Sequence, residues 1–429
     1  MIQRLLITTL LTCLATSVTA SAAPSNRPTG TVNVLHWWTS PSEAAAMDIL
    51  KDHYAKSRFT WTDQAIVGGG GGRAMTVLKS QVISGNPPHA AQISGQGIQD
   101  WASLGLLAHI DGTVNRNQWT SVLPEFVSET IQFQGRYYGV PVGIHRSNWL
   151  WINPKAFETT GLAIPSSWDD LIAIAPRLRR AGFIPLTHGG EAWQQAAIFE
   201  SVVLSEGGAD FYRQALVDHD HKALTSPTMI KVFRKLKQIA SLTPDNRTRM
   251  SWDRATQEII NNQAAVMLMG DWALGEFKMN GQVEGEDFYC QPAFGTDKKF
   301  IYNIDSFVMF NLRRFRDRQA QHGLTHQLMD KETQIAFNEK KGSIPVRMDA
   351  AEYLQGCQQQ SLEDLQASIK ANTLVPSIIH GMATRESLQI PAINFVSSYM
   401  SDPVVTPEQA VKSLSAALLS PSNSLSNSL

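Results

Sequence analysis

Two adjacent tryptophans, Trp37 and Trp38, follow a short apolar stretch, Thr31–His36, and lead into Ser40-Pro41-Ser42-Glu43. Flat apolar rings beside polar neighbours match the C–H faces of a sugar. The Ser-Pro-Ser-Glu run reads as a helix start, with a serine cap, proline at the first helical position and glutamate three residues after the cap. A strand giving way to a helix makes a carboxyl-end corner, the place where open α/β sheets bind ligands. Side chains alternate in direction along a strand, so two consecutive rings are poorly explained as core alone. Glu43 completes the capping box and aims a carboxylate at the same corner. Gln92 lies near the end of a second strand-like run, His89–Ile93, and Asp271-Trp272 follows a third, Ala264–Gly270. Asn303 and Asp305 are two apart within Ile301–Phe310, hence on one strand face, and polar groups in such a strand need partners. Lys341 before Gly342 reads first as a lysine answering a helix dipole. His380, in an apolar stretch after Pro376, reads first as a structural histidine. Together these are planar donors, acceptors and indole faces, an inventory suited to a neutral polyhydroxy ligand.

Other chemistries find less support. Gly68 to Gly72 precede a helix, but no Lys-Ser/Thr follows as in a phosphate loop, and dinucleotide spacing is not supported; a flexible loop is the expectation. Neither a Gly-x-Ser-x-Gly elbow nor a His-Glu-x-x-His pair occurs. A glycosidase needs only two carboxylates, which Glu43 and Asp305 could supply, so a secreted glycosidase stays open as the enzymatic alternative.

The elements that must position these residues alternate. Ala44–Tyr54, Ala74–Ile83 and Ile98–Leu107 have helical periodicity, while Phe59–Thr62 and His89–Ile93 are strand-like. Strands separated by crossover helices predict a parallel sheet with covered faces. Tyr137–Val142 and Trp149–Asn153 read as consecutive extended segments. From Ser166 the pattern is mainly helical, with short strands at Ile184–Thr187 and Ala264–Met269.

With 429 residues, 43% hydrophobic and 17% charged, the chain can bury an ample core in two or three domains. A formal net charge of −1 argues against nucleic acid or a polybasic membrane patch as partner. Eleven tryptophans imply aromatic surface beyond ordinary packing. Residues 1–22 read as a signal peptide: Arg4, an apolar Leu5–Val18, and Ala20-Ser21-Ala22 at the cleavage site. The protein is therefore expected to be exported and released. Cys13 falls in the signal, and the remaining two thiols, Cys290 and Cys357, are expected to form a disulfide in an oxidising compartment. Neither has the spacing of a zinc site, and no metal or cofactor is expected.

Several stretches resemble the periplasmic glucose/mannose-binding proteins of bacterial ABC sugar importers, within family 1 of the extracellular solute-binding proteins. They are His36-Trp-Trp-Thr-Ser40, the Gly-rich loop into Ala74-Met-Thr-Val-Leu-Lys-Ser80, Ser84-Gly-Asn-Pro-Pro88, His145-Arg146 with Asn148-Trp-Leu-Trp151, and Phe183-Ile-Pro-Leu186. Met269-Gly-Asp-Trp272, Asn303-Ile-Asp-Ser-Phe307 and Lys341-Gly-Ser-Ile-Pro-Val-Arg347 extend the match over nearly all of the mature chain. The resemblance implies an α/β, two-lobed periplasmic-binding-protein fold (type II) with the ligand in a cleft between lobes. It implies a monomeric, non-enzymatic receptor that closes over a monosaccharide, glucose first, with mannose or galactose next, and presents it to a membrane permease. Another sugar, a glucoside or a short oligosaccharide is the variant reading. The stacking residues correspond to Trp37 or Trp38 with Trp252 and Trp272. The polar contacts correspond to Glu43, Gln92, Asn303, Asp305, Lys341 and His380. Two residues after the glutamine the family typically has Lys or His, and this chain has Ser94, too short to span the same distance to a sugar hydroxyl. On this basis one lobe takes residues 23–142 plus 306–343. The other takes 144–302 plus 349–419, and 420–429 is a disordered tail.

Overall fold

The computed structural model describes residues 30–57, 59–68, 70–244, 247 and 250–419, so the expected signal peptide and tail both lie outside the described residues. Twelve strands occur among the described residues. The first six are β1 (Gly30–His36), β2 (Phe59–Ala65), β3 (Ala90–Gln92), β4 (Gln132–Phe133), β5 (Arg136–Tyr137) and β6 (Gly139–Arg146). The rest are β7 (Trp149–Ile152), β8 (Ile184–Thr187), β9 (Ala264–Leu268), β10 (Tyr289–Pro292), β11 (Phe300–Met309) and β12 (Leu374–Pro376).

One sheet runs β12-β11-β3-β1-β2, with β6 also paired to β11; a second runs β10-β7-β9-β8; β4 and β5 form a small hairpin. The expected parallel arrangement holds for β2, β1 and β3. It ends at β11, which lies antiparallel to both β3 and β6, because the chain re-enters this sheet from the opposite end. In the second sheet β7 is antiparallel to β9 and β10, and β8 is parallel to β9.

Each sheet carries its own apolar core. Val32, Val34, Leu35, Leu78, Phe307 and Leu324 belong to the first. Trp149, Trp151, Phe199, Phe233, Phe277 and Phe288 belong to the second. The chain leaves the first core after Ile144, enters the second at Trp149, and returns along β11, where Ile301 packs in the second core and Ile304 in the first. The helix Gly356–Lys370 touches both, through Cys357 on one side and Leu362 and Leu365 on the other, so the stretch after residue 349 is shared between the cores.

The crossing is held by a fully buried arginine. The Arg146 guanidinium lies 4.6 Å over the Trp149 ring and 5.1 Å from that of Phe300, pairs with Asp364, and donates to Lys299 O at 3.0 Å. Burial pulls its pKa below the ordinary arginine value, opposed by Asp364. An arginine is chosen where a buried cation must stack and hydrogen-bond at once. Among the described residues no helix is long and apolar enough to cross a membrane.

Cys290 on β10 is disulfide-bonded to Cys357 at the start of the helix Gly356–Lys370, across a sequence separation of 67. Closing a loop of that length restricts the unfolded chain and contributes up to about 4 kcal/mol. The Cys290→Ser/Cys357→Ser variant is expected to unfold at lower denaturant by that order. Identical urea midpoints for the two proteins would show that the bridge carries no stability.

Candidate functional site

The carboxyl ends of β1 and β3 open onto a cleft with about 900 Å³ of empty volume, part of it continuous with solvent. Trp37, Trp38, Glu43, Ser94, Trp252, Trp272, Asn303, Asp305, Lys341 and His380 all line it. Residues more than 340 positions apart in sequence thus share one crevice. Gln92 does not line it. Fully buried at the end of β3, it accepts from Trp37 N through Oε1 at 3.3 Å and reaches Asp305 Oδ1 with Nε2 at 3.5 Å. Its place is one layer behind, orienting the two residues in front.

Both indoles of the Trp37-Trp38 pair face the cleft because β1 ends at His36, so strand alternation no longer applies. Trp38 is only 2% exposed and packs against Phe307 and Phe337, with ring centroids at 5.6 and 5.4 Å. It is therefore core and cleft wall at once. Trp37 is half-buried and lies under Gly71, whose missing side chain would meet the Trp37 ring at 3.1 Å. Gly70 sits equally close to Trp193. These glycines have φ of +73° and +78°, so the loop needs both left-handed backbone and close approach to aromatic faces. They serve two ring surfaces and no phosphate cradle.

Glu43 does what its capping position dictates. Ser40 Oγ accepts from Glu43 N at 3.2 Å, and Glu43 Oε2 accepts from Ser40 N and Thr39 N at 3.2 and 3.1 Å. Its other oxygen takes a second role, an ion pair of 3.0 Å with Lys341 Nζ. Lys341 is the last residue of the helix Lys331–Lys341, closed by Gly342 at φ +88°, and its ammonium also lies 5.3 Å from the Trp38 ring. The dipole-answering lysine is thus also a buried cation on the cleft wall.

Asn303 and Asp305 share one face of β11, ahead of a register shift between Asp305 and Ser306. Opposite Asn303 in the antiparallel pair stands His145. Its Nδ1 lies 2.6 Å from Asp271 Oδ1 and its Nε2 3.0 Å from Asp305 Oδ2. Burial alone would lower the pKa of this imidazole, but two flanking carboxylates outweigh it and raise it to about 9. Burial likewise works against ionisation of Asp305, and His145 outweighs it, holding that carboxylate below its usual range. Asp271 Oδ2 further accepts from Arg146 N at 2.9 Å.

His380 follows β12. Burial pushes its pKa down to about 4, so the ring is neutral at physiological pH. Its Nδ1 is 2.8 Å from Ser377 Oγ and 3.3 Å from Ser147 Oγ. Ring centroids of Trp272 lie 5.6 Å from His145, 5.3 Å from His380 and 6.2 Å from Trp193. Asn303 Oδ1 and Ser94 Oγ are buried without a hydrogen-bond partner among the described residues. Each would gain from a polar ligand atom.

Sequence reasoning missed His145 and Trp193 as wall residues. His145 had its signal in the His145-Arg146 pair at the end of an extended segment. Trp193 sits in the first turn of the helix Ala192–Tyr212, where an indole reads as ordinary core.

Two α/β halves facing one cleft at the carboxyl ends of their strands define the periplasmic-binding-protein fold. The bacterial solute receptor AcbH, described as preferring β-D-galactopyranose, shares it at a TM-score of 0.75 and 19% identity, over 90% of this chain and 97% of that one. The model of the bacterial extracellular solute-binding protein family matches residues 39–311. A probable sugar-binding periplasmic protein of Brucella suis biovar 1 (strain 1330) is 38% identical over 90% of this chain and 91% of its own length. One from Rhizobium meliloti (strain 1021) is 36% identical over 97% and 99%. The chain belongs to the bacterial extracellular solute-binding protein family, whose members are receptors and not enzymes.

His145 gives the site a pH signature. Its pKa is about 9 when folded and near 6.5 when unfolded, so the clamp stabilises fully below pH 6.5 and is lost as pH rises through 9. The shift corresponds to about 3 kcal/mol. Urea unfolding between pH 6 and pH 10 should therefore cost the parent about 3 kcal/mol more than His145→Gln. A gap between the two that stays constant over that range would rule out a charged His145.

Proposed function

We propose that this protein is a periplasmic receptor for a neutral sugar, glucose first among monosaccharides, which it delivers to an ABC importer permease. The observation that carries the reading is the convergence of five indoles on one cleft, Trp37 and Trp38 from the first half and Trp193, Trp252 and Trp272 from the second. Between them stand charged groups that each have a partner inside the protein, with one negative charge in excess because a single His145 serves two carboxylates. Lys341 pairs with Glu43, His145 with Asp271 and Asp305, and Glu386 with Lys79. A cleft whose charges are paired with one negative to spare disfavours an anion, and its bare amide and hydroxyl oxygens and aromatic faces favour a ligand that is uncharged, hydroxylated and flat on one side. The sugar-binding names of the relatives agree with this reading.

The two apolar cores are the bodies of two lobes, divided near residues 142–144 and 302–306, that close about the β6–β7 and β11 crossings. Contacts between them support a closed arrangement: Glu276 accepts from Ser42 N at 3.0 Å, Gly381 O accepts from Gln96 N at 2.8 Å, and Lys79 meets Glu386 at 2.7 Å. The short Ser94, with its bare hydroxyl, favours as a second reading a larger ligand such as a glucoside or short oligosaccharide. The glycosidase alternative loses its acid. Glu43 has both oxygens committed to Lys341 and backbone N–H groups, and Asp305 is held ionised by His145.

A ligand bound only by the native state raises the melting temperature. Thermal-shift screening of mono- and disaccharides is expected to single out glucose or a close epimer. Asn303→Ala should then weaken binding at least tenfold by calorimetry, since a buried polar group left unpaired costs about 1–3 kcal/mol. Its ligand-free melting temperature should stay near that of the parent, because Asn303 Oδ1 has no partner among the described residues and Nδ2 makes only a long contact, 3.5 Å, to Asp305 Oδ1. Stabilisation by no sugar in the panel would reject the receptor reading.

A further inference from the structure

Behind His380 runs a polar chain that wall residues alone do not explain. Glu200, on the helix Ala192–Tyr212, is fully buried. Ser377 Oγ lies 2.9 and 3.0 Å from its two oxygens, Tyr212 Oη donates to it at 3.1 Å, and the backbone N–H groups of Ile378 and Ile379 also serve it. Ser377 Oγ in turn accepts from His380 N at 3.2 Å and stands 2.8 Å from His380 Nδ1. A hydroxyl has one hydrogen and two lone pairs. With the hydrogen given to Glu200 and one lone pair taken by His380 N–H, only a lone pair is left to face Nδ1. The imidazole hydrogen must then sit on Nδ1, and the neutral ring presents a bare Nε2.

This polarity is kept on protonation of Glu200, whose pKa burial pushes up to about 8, when the acid hydrogen lies on Oε2 toward Tyr212. Tyr212 Oη, 3.1 Å away, can accept the acid hydrogen, because it can pass its own to Pro376 O at 2.9 Å. The second Glu200 oxygen continues to accept from Ser377.

We infer that Glu200 and Ser377 are positioning residues that hold His380 as its Nδ1–H tautomer, so that Nε2 meets the cleft as an acceptor and selects a ligand with a hydroxyl to donate. The sugar in this statement rests on the function proposed above; the tautomer does not. A ligand offering only carbonyl or ether oxygens finds no donor at this ring. Ser147, 3.3 Å from Nδ1, is the competitor: without Ser377 its hydroxyl can donate to Nδ1 and reverse the ring.

Nitrogen-15 NMR of histidine-labelled, ligand-free protein at neutral pH reads the tautomer directly. A protonated Nδ1 and a bare Nε2 on His380 are expected, with the preference lost in Ser377→Ala. Glucose affinity should fall at least tenfold in Ser377→Ala, yet change less than twofold when the same substitution is added to His380→Ala. An Nε2–H ring in the parent overturns the inference, as does an equal loss from Ser377→Ala in both backgrounds. A parent with Nδ1–H that binds no sugar upholds the tautomer and removes the receptor reading instead.

Discussion

A buried imidazolium between two carboxylates is the interaction on which the cleft depends. His145 touches Asp271, which precedes a helix of the second half, and Asp305, which belongs to the strand returning to the first. From Asp305 the chain of contacts continues through Gln92 to the backbone N–H of Trp37. One charge cluster thus fixes the orientation of residues from both halves. Burying charged groups is costly unless each is paired, and removing the shared imidazolium would leave its carboxylate partners uncompensated, at a cost of several kcal/mol. The arrangement is therefore cooperative.

The same requirement shapes what the cleft can hold. Lys341 is tied to Glu43, and Glu43 is tied to the first turn of its own helix. No ligand charge is needed to complete this pair, and an anionic ligand would meet the surplus negative charge of the His145 cluster. What is left for a guest is aromatic surface and a few oxygens with unused lone pairs. The polar layer beneath, from Glu200 through Ser377 to His380, then decides hydrogen-bond direction and not net charge.

Much of this was readable from residue order because the informative positions sit at strand ends. The capping box at Ser40–Glu43, the Asn303/Asp305 pair and the helix-ending Lys341 all carry local patterns that survive folding unchanged. What escaped was whatever depends on long-range packing. β10 and β12 are four and three residues long, and β4–β5 are shorter still, too brief for any period to show. The direction of β11 went unread, since strand direction leaves no mark on local sequence. Gln92 had the right position along the chain, but its side chain turned toward Trp37 and Asp305, which only the sheet register decides. Trp193 gave no local sign, as its cleft role comes from Gly70 lying against it.

The gathering of indoles has one more consequence. Of eleven tryptophans in the chain, five line a single crevice, packed against histidines, a lysine ammonium and one another. Their excited states sense local polarity and nearby quenching groups. Filling or emptying that crevice will therefore alter the intrinsic emission of nearly half the chromophores at once. The chain carries its own optical reporter of occupancy, without any added label.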